Sequence, residues 1–362
     1  MSKKRIGILT SGGDCAGLNA AIRAVTRRAM EGYGWEVIGI HNGTLGLIST
    51  PVDAEVLDHN TFSGTLLRQG GTFLGTTNKG DPFAYPMEDG SLKDRSAEFI
   101  EGFRELNLCG LIGVGGDGSM KILNKLCERG NIPFIGIPKT IDNDVACTEF
   151  SIGFTTAVNV AVDALDRLHP TAASHHRVMI LEVMGRDAGH IALHAGIAGG
   201  ADVILVPEIP YDMAKVAAKI RHIYEHEHRS HALIVVSEAV KAADGKPVMT
   251  QNDEGRFNYG GVGHVIGEQL YKMTKAETRV TVLGHVQRGG KPAMRDRVIA
   301  SAFGVSAVDL LARGKTNRMV AWQHRKVVDV ALEDVVSHYN NIDVSGTLVH
   351  TARGLGICLG DE

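Results

Sequence analysis

The chain has 362 residues, 44% of them hydrophobic and 22% charged, with a formal net charge of −3. That length builds a large core and favours about two domains. The near-neutral balance excludes a nucleic-acid binder that relies on global charge, but it leaves room for phosphorylated metabolites, which need only a local cluster of Arg and Lys.

From the N-terminus, residues 5–9 read as a buried strand, Thr10-Ser11-Gly12-Gly13-Asp14 as its turn and 19–33 as a helix. A strand is predicted at 36–41, a helix at 96–108, a strand at 111–114, a helix at 120–129 and a strand at 133–137. Residues 155–168 carry Ala and Val at helical spacing. A second series follows: strand 177–182, helix 188–198, strand 203–206, helix 213–228 and strand 232–236. Residues 252–259 read as a polar loop. Helix 263–273, strand 279–283 and a long helix over 295–313 come next. Such alternation predicts an α/β fold: two Rossmann-like domains with mainly parallel sheets flanked by helices, and an active site in the cleft between them.

The five cysteines are irregularly spaced and contain no Cys-x-x-Cys pair, which predicts reduced thiols in a cytosolic protein. The first residues lead into a strand and not into a signal-peptide apolar region. No run reaches the ~20 apolar residues of a membrane span.

Chemistry concentrates at the ends of the predicted strands. Pro138-Lys139-Thr140-Ile141-Asp142-Asn143-Asp144 follows one strand, and Gly115-Gly116-Asp117-Gly118-Ser119 follows its predecessor. Asp117, Asp142 and Asp144 at one sheet edge would repel one another unless a divalent cation joins them or one accepts a proton. That pattern points to phosphoryl transfer onto a hydroxyl, with Thr140 able to donate to the moving group. Gly12 and Gly13 allow backbone N–H groups to approach a phosphate; the alternative for this turn alone is a tight turn capped by Asp14. Arg186, in Glu182-Val183-Met184-Gly185-Arg186, is placed to clamp phosphoryl oxygens. His285 and Arg288, in Gly284-His285-Val286-Gln287-Arg288-Gly289-Gly290, suit a sugar phosphate, with Arg279 on the strand before them. His222, His226, His228 and His231 lack an acidic or cysteine partner set and read as a solvated helix end, not a zinc site.

Taken in order, these motifs resemble the 6-phosphofructokinase family over nearly the whole chain. Lipid kinases and NAD kinases share only the GGDG string. The resemblance implies ATP-dependent phosphorylation of fructose 6-phosphate at the 1-hydroxyl, the committed step of glycolysis, by a cytoplasmic homo-oligomer, usually a tetramer. It implies a larger nucleotide-binding domain at 1–152 and 288–337, and a smaller fructose 6-phosphate domain at 153–287 and 338–362. Asp142 becomes the general base, assisted by Thr140, with Arg186 and Lys139 near the moving group. Asp117 and Asp144 become Mg²⁺ carboxylates. ATP falls to Gly12, Gly13, Asn78, Lys79, Gly116, Asp117, Gly118 and Ser119. The sugar phosphate falls to Thr140, Asp142, Met184, Gly185, Arg186, Glu238, His285 and Arg288, with Arg177 and Arg279 reaching it from a neighbouring subunit.

The donor is the point of tension. Family members using ATP generally carry Gly at the position of Gly118, whereas pyrophosphate users carry Asp. Lys139 resembles the pyrophosphate-dependent members, and Asn78 stands where many ATP users have Arg. Lys139 is therefore expected to replace that missing charge. A pyrophosphate-dependent phosphotransferase and a non-catalytic sugar-phosphate sensor are the competing readings. Arg23 and Arg27 lie where allosteric relatives bind effectors, but Asp53 and His169 make that pocket less basic.

Overall fold

A computed structural model describes residues 3–62, 65–78, 80–241, 248–251 and 257–362. The chain divides into two compact units. One holds the chain up to Thr140 with Asp144–Thr155 and Arg288–Asn340; the other holds Ile141–Asn143, Thr156–Gln287 and Asn341–Glu362.

Among the described residues of the first unit, eight strands form one sheet. Across it run Lys326–Ala331, Arg318–Gln323, Phe134–Thr140, Leu111–Gly115, Arg5–Thr10, Glu36–Ile40 and Ala54–Leu57, with Ile152–Gly153 paired to Phe134–Thr140. The central strands are parallel and almost wholly buried. Burial on both faces explains their continuous apolar runs. Leu9, Phe99, Leu111, Leu123, Phe134 and Met319 belong to the core on this sheet, and each such side chain contributes about 1.5–3 kcal/mol by leaving water. The helices Leu18–Tyr33 and Met294–Ala312 pack together, and Gly304 permits their approach: a Cβ there would lie 2.7 Å from that of Ala24.

In the second unit the strands Val203–Leu205, Ala232–Ser237, Val178–Val183 and Thr278–Val282 form a wholly parallel sheet in that order. Val178, Ile180, Ile220, Ile234, Ile266 and Leu270 share its core. Cys358 adds a parallel bridge to Val203 at the edge. No described helix is long and apolar enough to cross a membrane, and all five cysteines are free thiols.

Several element boundaries differ from the sequence expectations. The helix expected at 120–129 begins earlier, at Asp117–Gly130, because an acidic residue is favourable in a helix's first turn. The strand expected at 133–137 extends through Lys139 to Thr140. The helix expected at 155–168 runs Phe154–His175, past Pro170. Within the segment expected as a loop, Phe257–Tyr259 pairs antiparallel with Met249–Gln251. Both edges of the large sheet are antiparallel, through Ala54–Leu57 and the hairpin Arg318–Gln323/Lys326–Ala331, and neither was expected.

Candidate active site

Three neighbouring parallel strands of the first unit end at Thr10, Gly115 and Thr140. Thr10 pairs with Val114, and Gly115 with Pro138, so these carboxyl ends lie side by side. Open parallel sheets bind ligands at such ends.

The first turn is tightly held. Gly12 is left-handed, at φ 82°. Its N–H donates to the Thr77 carbonyl at 2.9 Å, and the Thr76 hydroxyl donates to its carbonyl at 2.7 Å. The Thr10 hydroxyl donates to the Gly75 carbonyl at 2.7 Å. These bonds bring the exposed Asn78 beside the turn. Lys79 lies outside the described residues. The helix after the turn begins at Leu18 with Gly17 as its N-cap and no side-chain capping bond, so Asp14 is not the cap that the alternative reading required.

Lys139 is 3% exposed. Its ammonium donates to the Ser11 carbonyl at 3.0 Å and to the Gly13 carbonyl. Strand and turn are thus joined by a buried cation. Arg288 belongs to this same unit, and its Nη1 donates to the Asp14 carbonyl at 3.1 Å. A Cβ on Gly13 would lie 2.7 Å from that nitrogen. The arginine expected at a sugar phosphate therefore rests against the Gly13–Asp14 backbone here. Burial pushes the Cys15 thiol up to about 12, opposed by the nearby Lys139 charge.

Gly116 is the N-cap of the helix that starts with Asp117. Ser119 approaches the first turn, its Oγ only 2.9 Å from where a Gly12 Cβ would stand. Gly118 is exposed, and a Cβ there would meet nothing within 4 Å. Asp117 Oδ2 accepts from Lys121 at 2.8 Å, and Asp144 Oδ2 accepts from Tyr339 at 3.0 Å. In both residues Oδ1 is buried and accepts no hydrogen bond. Two carboxylates, each with one buried oxygen to offer, fit a magnesium ion. Among the described residues no group of three or more His, Cys, Asp or Glu is placed to hold a metal; magnesium commonly rests on one or two carboxylates, water and substrate phosphate.

The second unit carries Asp142, 6% exposed, and the Met184-Gly185-Arg186 backbone. Three successive N–H groups of that backbone are held by side chains. Gln287 Oε1 accepts from Met184 at 2.8 Å, and Glu238 Oε1 accepts from Gly185 at 3.4 Å and Arg186 at 3.2 Å. Arg186 is left-handed, at φ 46°, with its side chain 66% exposed beside Asp187. Glu182, 1% exposed, accepts from the N–H groups of Gly261 and Gly263, both at 2.8 Å, and so fixes the start of the helix Val262–Thr274. Arg177 and Arg279 share Glu277, the former at 2.9 Å. His285 is exposed on the short helix Gly284–Arg288. Gln287, Glu182 as an anchor and Tyr339 escaped the sequence reading. Only Gln287 had a local signal, being the one internal polar residue of its motif between His285 and Arg288.

Burial pushes the Glu238 carboxyl up to about 7; the Arg186 N–H works against this and the Asp142 charge adds to it. The folded value exceeds the ordinary 4.5, so the folded chain holds an extra proton between the two. Stability then falls as pH rises from the lower value to the higher. Glu238→Gln keeps an acceptor for both N–H groups and removes the titration. Its stability advantage over the parent should grow across that window to about 2 kcal/mol, allowing for partial exposure. Urea unfolding at a series of pH values checks this; a constant difference between the two proteins would refute it.

The family model for phosphofructokinase matches residues 5–311. The chain is 58% identical over 359 residues to ATP-dependent 6-phosphofructokinase 1 of Synechocystis sp., covering 99% of each. It is 49% identical over 360 residues to ATP-dependent 6-phosphofructokinase of Chloroflexus aurantiacus, again covering 99% of each. The crystal structure of Pichia pastoris phosphofructokinase in the T-state superposes with a TM-score of 0.81 at 28% identity, over 93% of this chain and 36% of that one. With a family match over most of its length and full-length relatives that agree with it, the chain belongs to the phosphofructokinase family.

Proposed function

We infer that this chain transfers the terminal phosphoryl group of ATP to the 1-hydroxyl of fructose 6-phosphate, giving fructose 1,6-bisphosphate and ADP in glycolysis. The observation that carries this is the end-to-end identity with relatives named for ATP. The open space at Gly118 supports it, since nothing near that position opposes a nucleotide phosphate.

We assign the individual roles as follows. Gly12, Gly13, Gly116, Gly118 and Ser119 line the adjoining turns and receive the ATP phosphates, with Asn78 beside them. Asp117 and Asp144, each with a buried Oδ1 that accepts no hydrogen bond, would hold Mg²⁺, which would supply positive charge against that of the transferring phosphoryl group. Asp142 takes the proton of the 1-hydroxyl on its carboxylate as the new O–P bond forms. Thr140 and Arg186 donate to the phosphoryl oxygens. Met184, Gly185 and Glu238 hold the fructose ring, and His285 and Arg288 hold its 6-phosphate once Arg288 leaves the Asp14 carbonyl. Lys139 adds positive charge beneath the donor turn, through the carbonyls it already binds.

Arg177 and Arg279 serve the sugar phosphate of a neighbouring copy in a cytoplasmic homotetramer. Their shared partner Glu277 keeps both guanidinium groups together on one unit, which supports a common anionic target.

The direct test offers the pure protein Mg²⁺ and fructose 6-phosphate with either ATP or pyrophosphate. Turnover with ATP alone is expected. Turnover with pyrophosphate alone would overturn the donor, and turnover with neither would favour a sugar-phosphate sensor.

A further inference from the structure

Asp144 is 3% exposed, and its two carboxylate oxygens are treated differently. Oδ2 accepts from the Tyr339 hydroxyl at 3.0 Å, while Oδ1 is buried and accepts nothing. The backbone is pinned as well, because the Asn340 N–H donates to the Asp144 carbonyl at 3.0 Å. Asn143, just before it, is left-handed at φ 56°, so the chain turns sharply into this position. Tyr339 and Asn340 follow the helix Leu332–Ser337 and lie beyond the 5–311 span of the family match.

Asp117 offers the contrast. Its Oδ2 is bound by the Lys121 ammonium, which offsets the carboxylate's charge. A phenol fixes a carboxylate without offsetting it. At Asp144 the side-chain orientation is thus set without a positive charge placed beside it.

We propose that Tyr339 is a positioning residue for the magnesium site: its hydroxyl fixes the Asp144 carboxylate with Oδ1 available to the cation, and, being neutral, it adds no positive charge that would compete with the ion. This rests on the reading of Asp144 as a cation ligand. Groups that hydrogen-bond a ligating side chain commonly govern metal affinity by 10–100-fold.

The test uses the full chain and Mn²⁺ alone as the probe, with free Mn²⁺ followed by electron paramagnetic resonance. Tyr339→Phe removes only the hydroxyl. It should weaken Mn²⁺ binding about tenfold and raise the Mg²⁺ concentration for half-maximal rate to match. Its melting temperature and KM for fructose 6-phosphate should stay at parent values. Parent-like Mn²⁺ affinity in Tyr339→Phe, with binding lost in Asp144→Asn, would overturn the role of Tyr339 and leave Asp144 as the ligand. Parent-like affinity in Asp144→Asn, or no Mn²⁺ binding by the parent, would overturn the reading of Asp144 and this inference with it. A Tyr339→Phe variant that unfolds, or loses stability in step with affinity, would make the residue structural and also overturn the proposal.

Discussion

Asp142→Asn should lower kcat by ~10²–10⁴-fold and leave KM for fructose 6-phosphate within a few-fold of the parent. The substitution keeps shape and hydrogen-bonding capacity, so folding and sugar binding should survive. What it removes is a proton acceptor. A sugar hydroxyl is far too weak an acid to ionise at neutral pH, and the transfer needs somewhere for that proton to go. Asp142 is buried, and its charge is felt by Glu238 in the same unit. An asparagine there also relieves Glu238, whose carboxyl should shift back towards its ordinary value. Steady-state rates at saturating ATP and Mg²⁺ decide the matter. A variant with parental kcat would show that the proton leaves by another route.

Gly118→Asp tests the donor. The position is exposed in the first turn of the helix Asp117–Gly130, and a Cβ there meets no atom within 4 Å. An acidic residue is favourable at a helix start, so the variant should fold with unchanged stability. Its carboxylate would instead oppose the nucleotide phosphates. Two like charges ~4 Å apart repel by about 4 kcal/mol at an effective dielectric near 20. That corresponds to a ~10³-fold loss in kcat/KM for ATP, less where the cation screens the pair. The comparison needs kcat/KM for ATP and a melting curve on the same preparation. ATP use at the parental level would remove the electrostatic argument for why this chain takes a nucleotide.

How far the site could be read from the chain depended on whether its signals were local. The turns after Thr10, Gly115 and Thr140 were legible because each interrupts a fully buried apolar run with glycine or clustered acid. The start of the helix at Asp117 was misplaced because Gly118 and Ser119 are weak helix formers, and the favourable dipole at Asp117 outweighed them. The hairpin Arg318–Gln323/Lys326–Ala331 left no trace because His324 and Arg325 occupy left-handed conformations, at φ 49° and 65°, that Asn and Gly usually mark. Lys139 was expected to lie near the phosphates as a cation, but nothing in its neighbours announced the Ser11 and Gly13 carbonyls as its partners. Tyr339 was beyond reach in principle: 195 residues separate it from Asp144, and only the folded chain brings a phenol to that carboxylate.

The amine that fastens Ser11 and Gly13 to the strand ending at Thr140 has a consequence for how the enzyme meets its nucleotide. A glycine-rich loop left to itself fluctuates, and ordering it on encounter subtracts from affinity. Here, peeling the loop away would expose a lysine head group and strand two carbonyls, so the turn proposed for the donor phosphates is held rigid without them. Grip on the donor can then come from backbone dipoles at little entropic cost, and a shift of the strand is transmitted directly to the loop.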